Sequence, residues 1–205
     1  MCDKNDLPAA IDAYNHALAI DPKYAIARSN LASAEKLLAL EKRLPGVLQG
    51  EAASAADLLA LADLCQRHHK RYRSAAELYA KAFAADPSAA VELGKTHRFN
   101  AARAAALAAA GKGTEADKLE EKDQTRLRQQ AFDWLQVDLA VSTRLLEKNP
   151  VQVHIDVQHW QRDAALAGLR DDTELAKLPA EERAAWKQFW GEVESLAEEA
   201  RARSE

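Results

Sequence analysis

Arg67-His68-His69-Lys70-Arg71-Tyr72-Arg73 is the sharpest cluster of charge in the chain. Such a run can hold a phosphate or an acidic peptide. No second basic stripe supports it, and it lies between two apolar helical runs, so it reads as a solvated turn. His154 and His159 are five residues apart, which puts them on different faces of a helix, and the adjacent His68 and His69 diverge in the same way. No Cys-x2-Cys or His-Glu-x2-His pattern occurs, so no metal site is expected. Gly111-Lys112-Gly113-Thr114 lacks the first glycine of a phosphate loop, has Lys-Gly-Thr in place of Gly-Lys-Thr, and follows a helix rather than a strand. It is expected to be a helix C-cap and turn. Glu120, Glu121, Asp123, Glu181 and Glu182 lie in polar or helix-starting segments, where solvation and the helix dipole account for them without acid–base catalysis. Trp186 and Trp190 share a helical face with Phe189 beside it, an arrangement expected of core packing, with an aromatic partner anchor as the other reading. No catalytic, cofactor or metal residue emerges, and the chain is not expected to be an enzyme.

These residues must be positioned by helices. The chain has 205 residues, 48% hydrophobic but only 6% aromatic, with alanine making up much of the difference. β-branched residues are sparse and no period-2 run occurs, which favours an all-α fold. Lys and Arg total 28 against 32 Asp and Glu, a net charge of −4 that gives no electrostatic case for nucleic acid. Cys2 and Cys65 cannot build a disulfide framework. No stretch is apolar enough to span a bilayer and the N-terminus has no signal pattern, so a cytoplasmic protein with no membrane partner is expected.

One spacing occurs twice. Ala10, Tyr14, Ala17 and Pro22 stand at offsets 0, 4, 7 and 12, and Ala75, Tyr79, Ala82 and Pro87 repeat them. Offsets 0, 4 and 7 share one helix face, where the alanines admit a neighbouring helix and the tyrosine fills the space beside them. Asp-Pro then ends the helix. The pattern predicts helices over 7–20, 24–43, 53–68, 74–85, 88–110, 123–148 and 151–162, and a last one from Pro179 at N1. Pro45-Gly46 is expected to stop the second helix, and 171–178 to be a turn or short helix. The alanine-rich second half of the fifth helix is thin enough for the middle of a tight bundle. Three segments are expected: helical repeats over 1–110, a polar loop over 111–122, and a helical C-terminal extension over 123–205.

The Ala-x3-Tyr-x2-Ala-x4-Pro pattern resembles the second helix of a tetratricopeptide repeat, a 34-residue helix–turn–helix unit. Leu31-Ala32 with Glu35, and Leu61-Ala62 with Cys65, occupy the partner helix's Leu-Gly/Ala-x2-Tyr positions without the aromatic, so the copies over 7–87 are degenerate. Residues 70–200, with LYAKAFAADP, HRFNAARAAALAAAGKG, RLRQQAFDWLQVDL and LAKLPAEERAAWKQFWGEV, resemble the C-terminal region of large bacterial tetratricopeptide-repeat proteins, many of which carry an N-terminal serine/threonine kinase domain. No Gly-rich loop, Val-Ala-x-Lys, His-Arg-Asp or Asp-Phe-Gly is present, so kinase activity does not carry over.

The resemblance implies an α-solenoid with a concave face lined by the first helix of each unit. Asn30, Ser33 and Lys36 on the second helix, and Asp63, Gln66 and Arg67 on the third, are the polar positions expected there. The expected function is a protein–protein scaffold or adaptor that binds a protein or peptide. The alternative is an accessory or regulatory segment of a serine/threonine kinase system. In the repeat register Leu7 starts a unit's second helix, so Ile11, Tyr14 and Leu18 are expected to lack cover; either self-association through this half-repeat supplies it, or the chain is a fragment of a longer protein.

Overall fold

A computed structural model describes residues 7–90, 96–116 and 119–204. Among them the structure is all-α, with no strand. The helices are α1 (Leu7–Ile20), α2 (Ala25–Leu48), α3 (Ala55–Leu64), α4 (Tyr72–Ala85), α5 (His97–Ala109), α6 (Glu121–Leu145), α7 (Pro150–Arg162), α8 (Asp172–Leu175) and α9 (Ala180–Ala202). α1 packs on α2, α3 on α4, and α5 on both α4 and α6, and α9 returns to pack on α7 and α6. No helix is long and apolar enough to cross a membrane among the described residues.

The centre is α5. All but three of its 13 residues are buried, and Ala101, Ala102, Ala104 and Ala105 have no exposed surface. It packs along both α4 and α6. Helices separated only by methyl groups can run at the close end of the interaxial range. α4 answers with Ala75, Ala76, Leu78, Tyr79 and Ala82, all fully buried, and α6 with the stripe Leu127, Ala131, Leu135 and Leu139. α9 presents Trp186, Phe189, Val193, Leu196 and Ala200 at helical spacing. Trp186 stands edge-on to Phe132 at 5.0 Å and to Phe189 at 5.8 Å, so this tryptophan belongs to the core. Trp190 donates its indole N–H to the Leu169 carbonyl at 2.7 Å.

Several boundaries differ from those the sequence predicts. α2 runs through Pro45-Gly46 to Leu48. An interior proline costs about 3 kcal/mol. Here Leu40, Leu44 and Val47 are all buried, each contributing roughly 1.5–3 kcal/mol, which outweighs that cost. α5 begins at His97 rather than Ser88, because Pro87–Ala90 form a 3₁₀ turn, and 91–95 of the expected helix lie outside the described residues. Pro179 is the N-cap of α9 rather than N1, with extended ψ of 147°. α6 ends at Leu145, and Asn149 caps α7 by accepting the Gln152 N–H at 3.3 Å, with Pro150 in the first turn. The 171–178 segment contains the single turn of α8.

Gly111-Lys112-Gly113 closes α5 as a C-cap. Gly111 is left-handed at φ 64°, its N–H donates to the Ala108 carbonyl at 3.0 Å, and the Lys112 N–H donates to the Leu107 carbonyl at 2.9 Å. This is the 5→2 and 6→1 pair that ends a helix on glycine. The central position of α5 predicts that Ala105→Leu overpacks both seams. The expected loss is about 1–3 kcal/mol of unfolding free energy by urea titration.

Candidate functional site

The two tyrosines of the repeated spacing have different surroundings. Tyr14 is half-buried on α1, a helix with no buried residue. Tyr79 is completely buried, and its hydroxyl donates to Asp63 Oδ1 on α3 at 2.5 Å. The Tyr79 hydroxyl also lies 3.3 Å from Gln66 Oε1, and Gln66 Nε2 donates to the Asn100 carbonyl of α5 at 3.1 Å. Burial pushes the Tyr79 hydroxyl far above its ordinary pKa, and the acceptor and charge of Asp63 add to this, so it stays a donor. Gln66, expected on the binding surface, is 7% exposed. Its amide ties the turn after α3 to α4 and α5 instead of facing a partner, because α5 brings a carbonyl over that turn.

The network continues to the surface at both ends. Arg67 Nε stands 3.9 Å from Asp63 Oδ1, and the Arg67 side chain is 64% exposed. On α5, Arg103 places a terminal nitrogen 3.4 Å from Asn100 Oδ1 and Nε 2.8 Å from Asp163 Oδ2. Its guanidinium also lies 5.9 Å from the centre of the Phe99 ring, within cation–π range. Asp163 is buried at the end of α7, where its carboxylate also accepts the Ala165 N–H at 2.8 Å. His159 of α7 lies 3.9 Å from the same carboxylate, largely exposed, with its ring 5.3 Å from Phe99. Asp63, Arg67, Arg103 and His159 thus form a string of exposed or half-exposed ionisable groups whose inner atoms are fixed by Tyr79 and Asp163.

Of the six residues expected to bind a partner, Asp63, Gln66 and Arg67 fall in this network. Asn30, Ser33 and Lys36 are exposed on α2, where the Ser33 hydroxyl bonds back to the Ser29 carbonyl at 3.0 Å. Arg103, Asp163 and His159 were not legible as members, since their meeting depends on α7 folding back beside α5. A separate open groove of about 700 Å³ lies between α6 and α9, edged by Gln136, Thr143, Gln188, Glu192 and Glu199, and contains none of the six.

The basic 67–73 run is a turn, as expected, but a constrained one. Cys65–His69 form a π-helical turn, and Lys70 is left-handed at φ 52°, which is unfavourable by about 1–2 kcal/mol for a side-chain-bearing residue. The loop after α5 secures it. Thr114 N–H donates to the Lys70 carbonyl at 3.0 Å, and Gly113, at φ 88°, packs so close that a Cβ would lie 2.2 Å from that oxygen. Glu115 then occupies the start of α4, where its carboxylate accepts the Ser74 N–H at 3.0 Å, the Ser74 hydroxyl at 2.6 Å and Arg71 Nε at 3.1 Å. Cys65, inside the turn, has its thiol pushed up to about 12 by burial and remains protonated at neutral pH. Glu182, read from the sequence as a solvated first-turn carboxylate, is instead clamped by Arg128 through contacts of 2.5 and 3.1 Å that join α6 to α9. Buried Arg98 pairs with Asp138 at 2.5 Å and joins α5 to α6.

A family model described as TPR repeat matches residues 1–36, which contain the first copy of the Ala-Tyr-Ala-Pro spacing. No curated protein and no solved structure matches the chain. The match shows a likeness to that repeat over residues 1–36, and the all-α structure is consistent with a helical-repeat fold. Such repeats generally mediate protein–protein interaction.

Glu115 gives this arrangement a pH signature. Burial pushes its carboxyl upward, but the two Ser74 donors and the Arg71 guanidinium outweigh that and hold it below the usual carboxylate range. A depressed folded pKa contributes stability above the unfolded value, and that contribution fades as pH falls through the folded value. Glu115→Gln is therefore expected to lower stability by about 2 kcal/mol at neutral pH. Denaturant titrations repeated into the acid range should show the wild type and variant converging.

Proposed function

We propose that the chain is a protein-binding adaptor and that its partner docks on the face where Asp63, Arg67, Arg103 and His159 reach solvent. The observation that carries this reading is preorganisation. Asp63 is held from beneath by the Tyr79 hydroxyl, and Arg103 is held by Asp163 and Asn100. Charges fixed before binding lose little side-chain entropy on contact, so each can contribute orientation at small cost. The string carries both signs, so a partner segment with both acidic and basic side chains matches it, and rim charges of this kind act chiefly on association rate and selectivity. The general association of tetratricopeptide repeats with protein binding supports the same reading.

The resemblance of residues 70–200 to the non-catalytic end of kinase-bearing repeat proteins makes a serine/threonine kinase system the first place to seek the partner. Asn30, Ser33 and Lys36 stand exposed on α2, outside this string.

Arg67 is exposed, so Arg67→Glu leaves the core untouched. Proteins captured by the wild-type chain are expected to be lost by Arg67→Glu and weakened by His159→Ala, while Lys36→Glu retains them. Affinity measured on the captured partner should fall about tenfold or more with Arg67→Glu. Equal capture by wild type and Arg67→Glu would remove this face from consideration.

A further inference from the structure

The side chains that separate α6 from α9 change in size along the two helices. In the first halves Arg128 holds Glu182, and the rings of Phe132, Trp186 and Phe189 fill the space. Beyond that knot the facing residues shrink while the bulk upstream keeps the helices apart, and a groove of about 700 Å³ opens. Leu139 and Leu196, both buried, form its apolar base. On α6 it is edged by Gln136, Ala140 and Thr143, at i, i+4 and i+7. On α9 the edge is Gln188, Glu192, Ser195 and Glu199, at i, i+4, i+7 and i+11. Each set is one face of its helix. Gly191, in the middle of α9, lines the groove as well. A glycine inside a helix is destabilising relative to alanine, and nothing in the fold requires this one. Its φ is not positive, and a Cβ added there would meet no atom within 4 Å. What the glycine does is leave the helix backbone bare where the groove is open, which lets another chain come close.

We propose that this groove takes an amphipathic helix of a protein partner, apolar along one stripe and carrying Lys or Arg beside it. Charge selects that occupant. Glu192 and Glu199 line the groove, and among the described residues no lysine or arginine lines it. Glu192 accepts the Gln188 amide N–H at 3.0 Å. Glu199 is met by Arg203 at 2.6 Å, in a pair whose side chains are 52% and 44% exposed. An exposed pair of this kind contributes little, so a partner cation can replace Arg203 at small cost. Two copies of the groove set face to face would bring carboxylate against carboxylate, which disfavours a second copy of the chain. Shape fits the same occupant. From Gln188 to Glu199 the α9 edge is about 17 Å long, three helical turns. Leu139 and Leu196 receive the apolar stripe, Gly191, Ala140 and Ser195 admit the backbone, and Glu192 and Glu199 fix register through the flanking cations. The groove shares no residue with the Asp63–Arg103 string, so this proposal is independent of the partner site above.

The test uses the full chain and two synthetic peptides of about four helical turns. One carries leucines at helical spacing flanked by lysines, and the other has every lysine replaced by glutamate. Fluorescence anisotropy is expected to show micromolar binding of the lysine peptide and none of the glutamate peptide. Glu192→Lys/Glu199→Lys and, separately, Gly191→Leu should each weaken the lysine peptide about tenfold or more. Val151→Ser/Ile155→Ser, which removes exposed apolar surface from α7, should leave its affinity unchanged. Gly191→Ala should raise the urea midpoint of the free chain, since the glycine is not there for the fold. Absence of lysine-peptide binding overturns the proposal, as does equal binding of the glutamate peptide. So does affinity indifferent to the groove variants or lowered equally by the α7 pair, or a lower urea midpoint for Gly191→Ala.

Discussion

Ala101, Ala102, Ala104, Ala105 and Ala108 clothe α5 in methyl groups, and the spacing of everything around it follows from their size. A helix without bulk can be buried on nearly all sides without forcing its neighbours apart, so α4 and α6 both close on it. Close approach leaves little room for large residues at the seams, and the bulk is displaced outward. Tyr79 fills the space on the α4 side, and Phe132, Trp186 and Phe189 form a separate aromatic knot where α6 meets α9. The low aromatic fraction of the sequence and its high alanine content are thus two expressions of one packing solution.

Helices held by small contacts slide unless something fixes their register. Polar pairs do this here, and each spans two helices: Tyr79 with Asp63, Gln66 with the Asn100 carbonyl, Arg98 with Asp138, and Arg128 with Glu182. The desolvation that accompanies such pairs is substantial. Asp138 has its carboxyl pushed up to about 6 by burial, against the pull of Arg98. Breaking a buried pair leaves a stranded charge, which makes the intended register strongly preferred over its neighbours. Asp63, on the proposed binding face, is the outer end of one of these pairings, so the bond that sets the register of α3 and α4 also holds Asp63 in place.

Local chemistry was largely readable from the sequence. The Ala-Tyr-Ala-Pro spacing placed α1 and α4, and the Gly-Lys-Gly run marked the end of α5. What escaped was decided by distant residues. Pro45 looks like a stop until Val47 is seen to be buried beyond it. Gln66 looks like a surface residue until α5 supplies a carbonyl to its amide. Glu115 sits in an unremarkable acidic stretch, and only the return of that loop to the start of α4 gives it two donors and a guanidinium. Tyr14 and Tyr79 share a motif, yet one is in the core and the other in a terminal hairpin, because the motif specifies a face and not what covers it.

If α5 is the element on which the others are assembled, its backbone cannot open alone. Native-state hydrogen exchange of the amides from Ala101 to Ala108 measures this directly. The account predicts that they exchange only through global unfolding, with an opening free energy equal to that from denaturant titration. Exchange of these amides through a local opening several kcal/mol below the global value would contradict it.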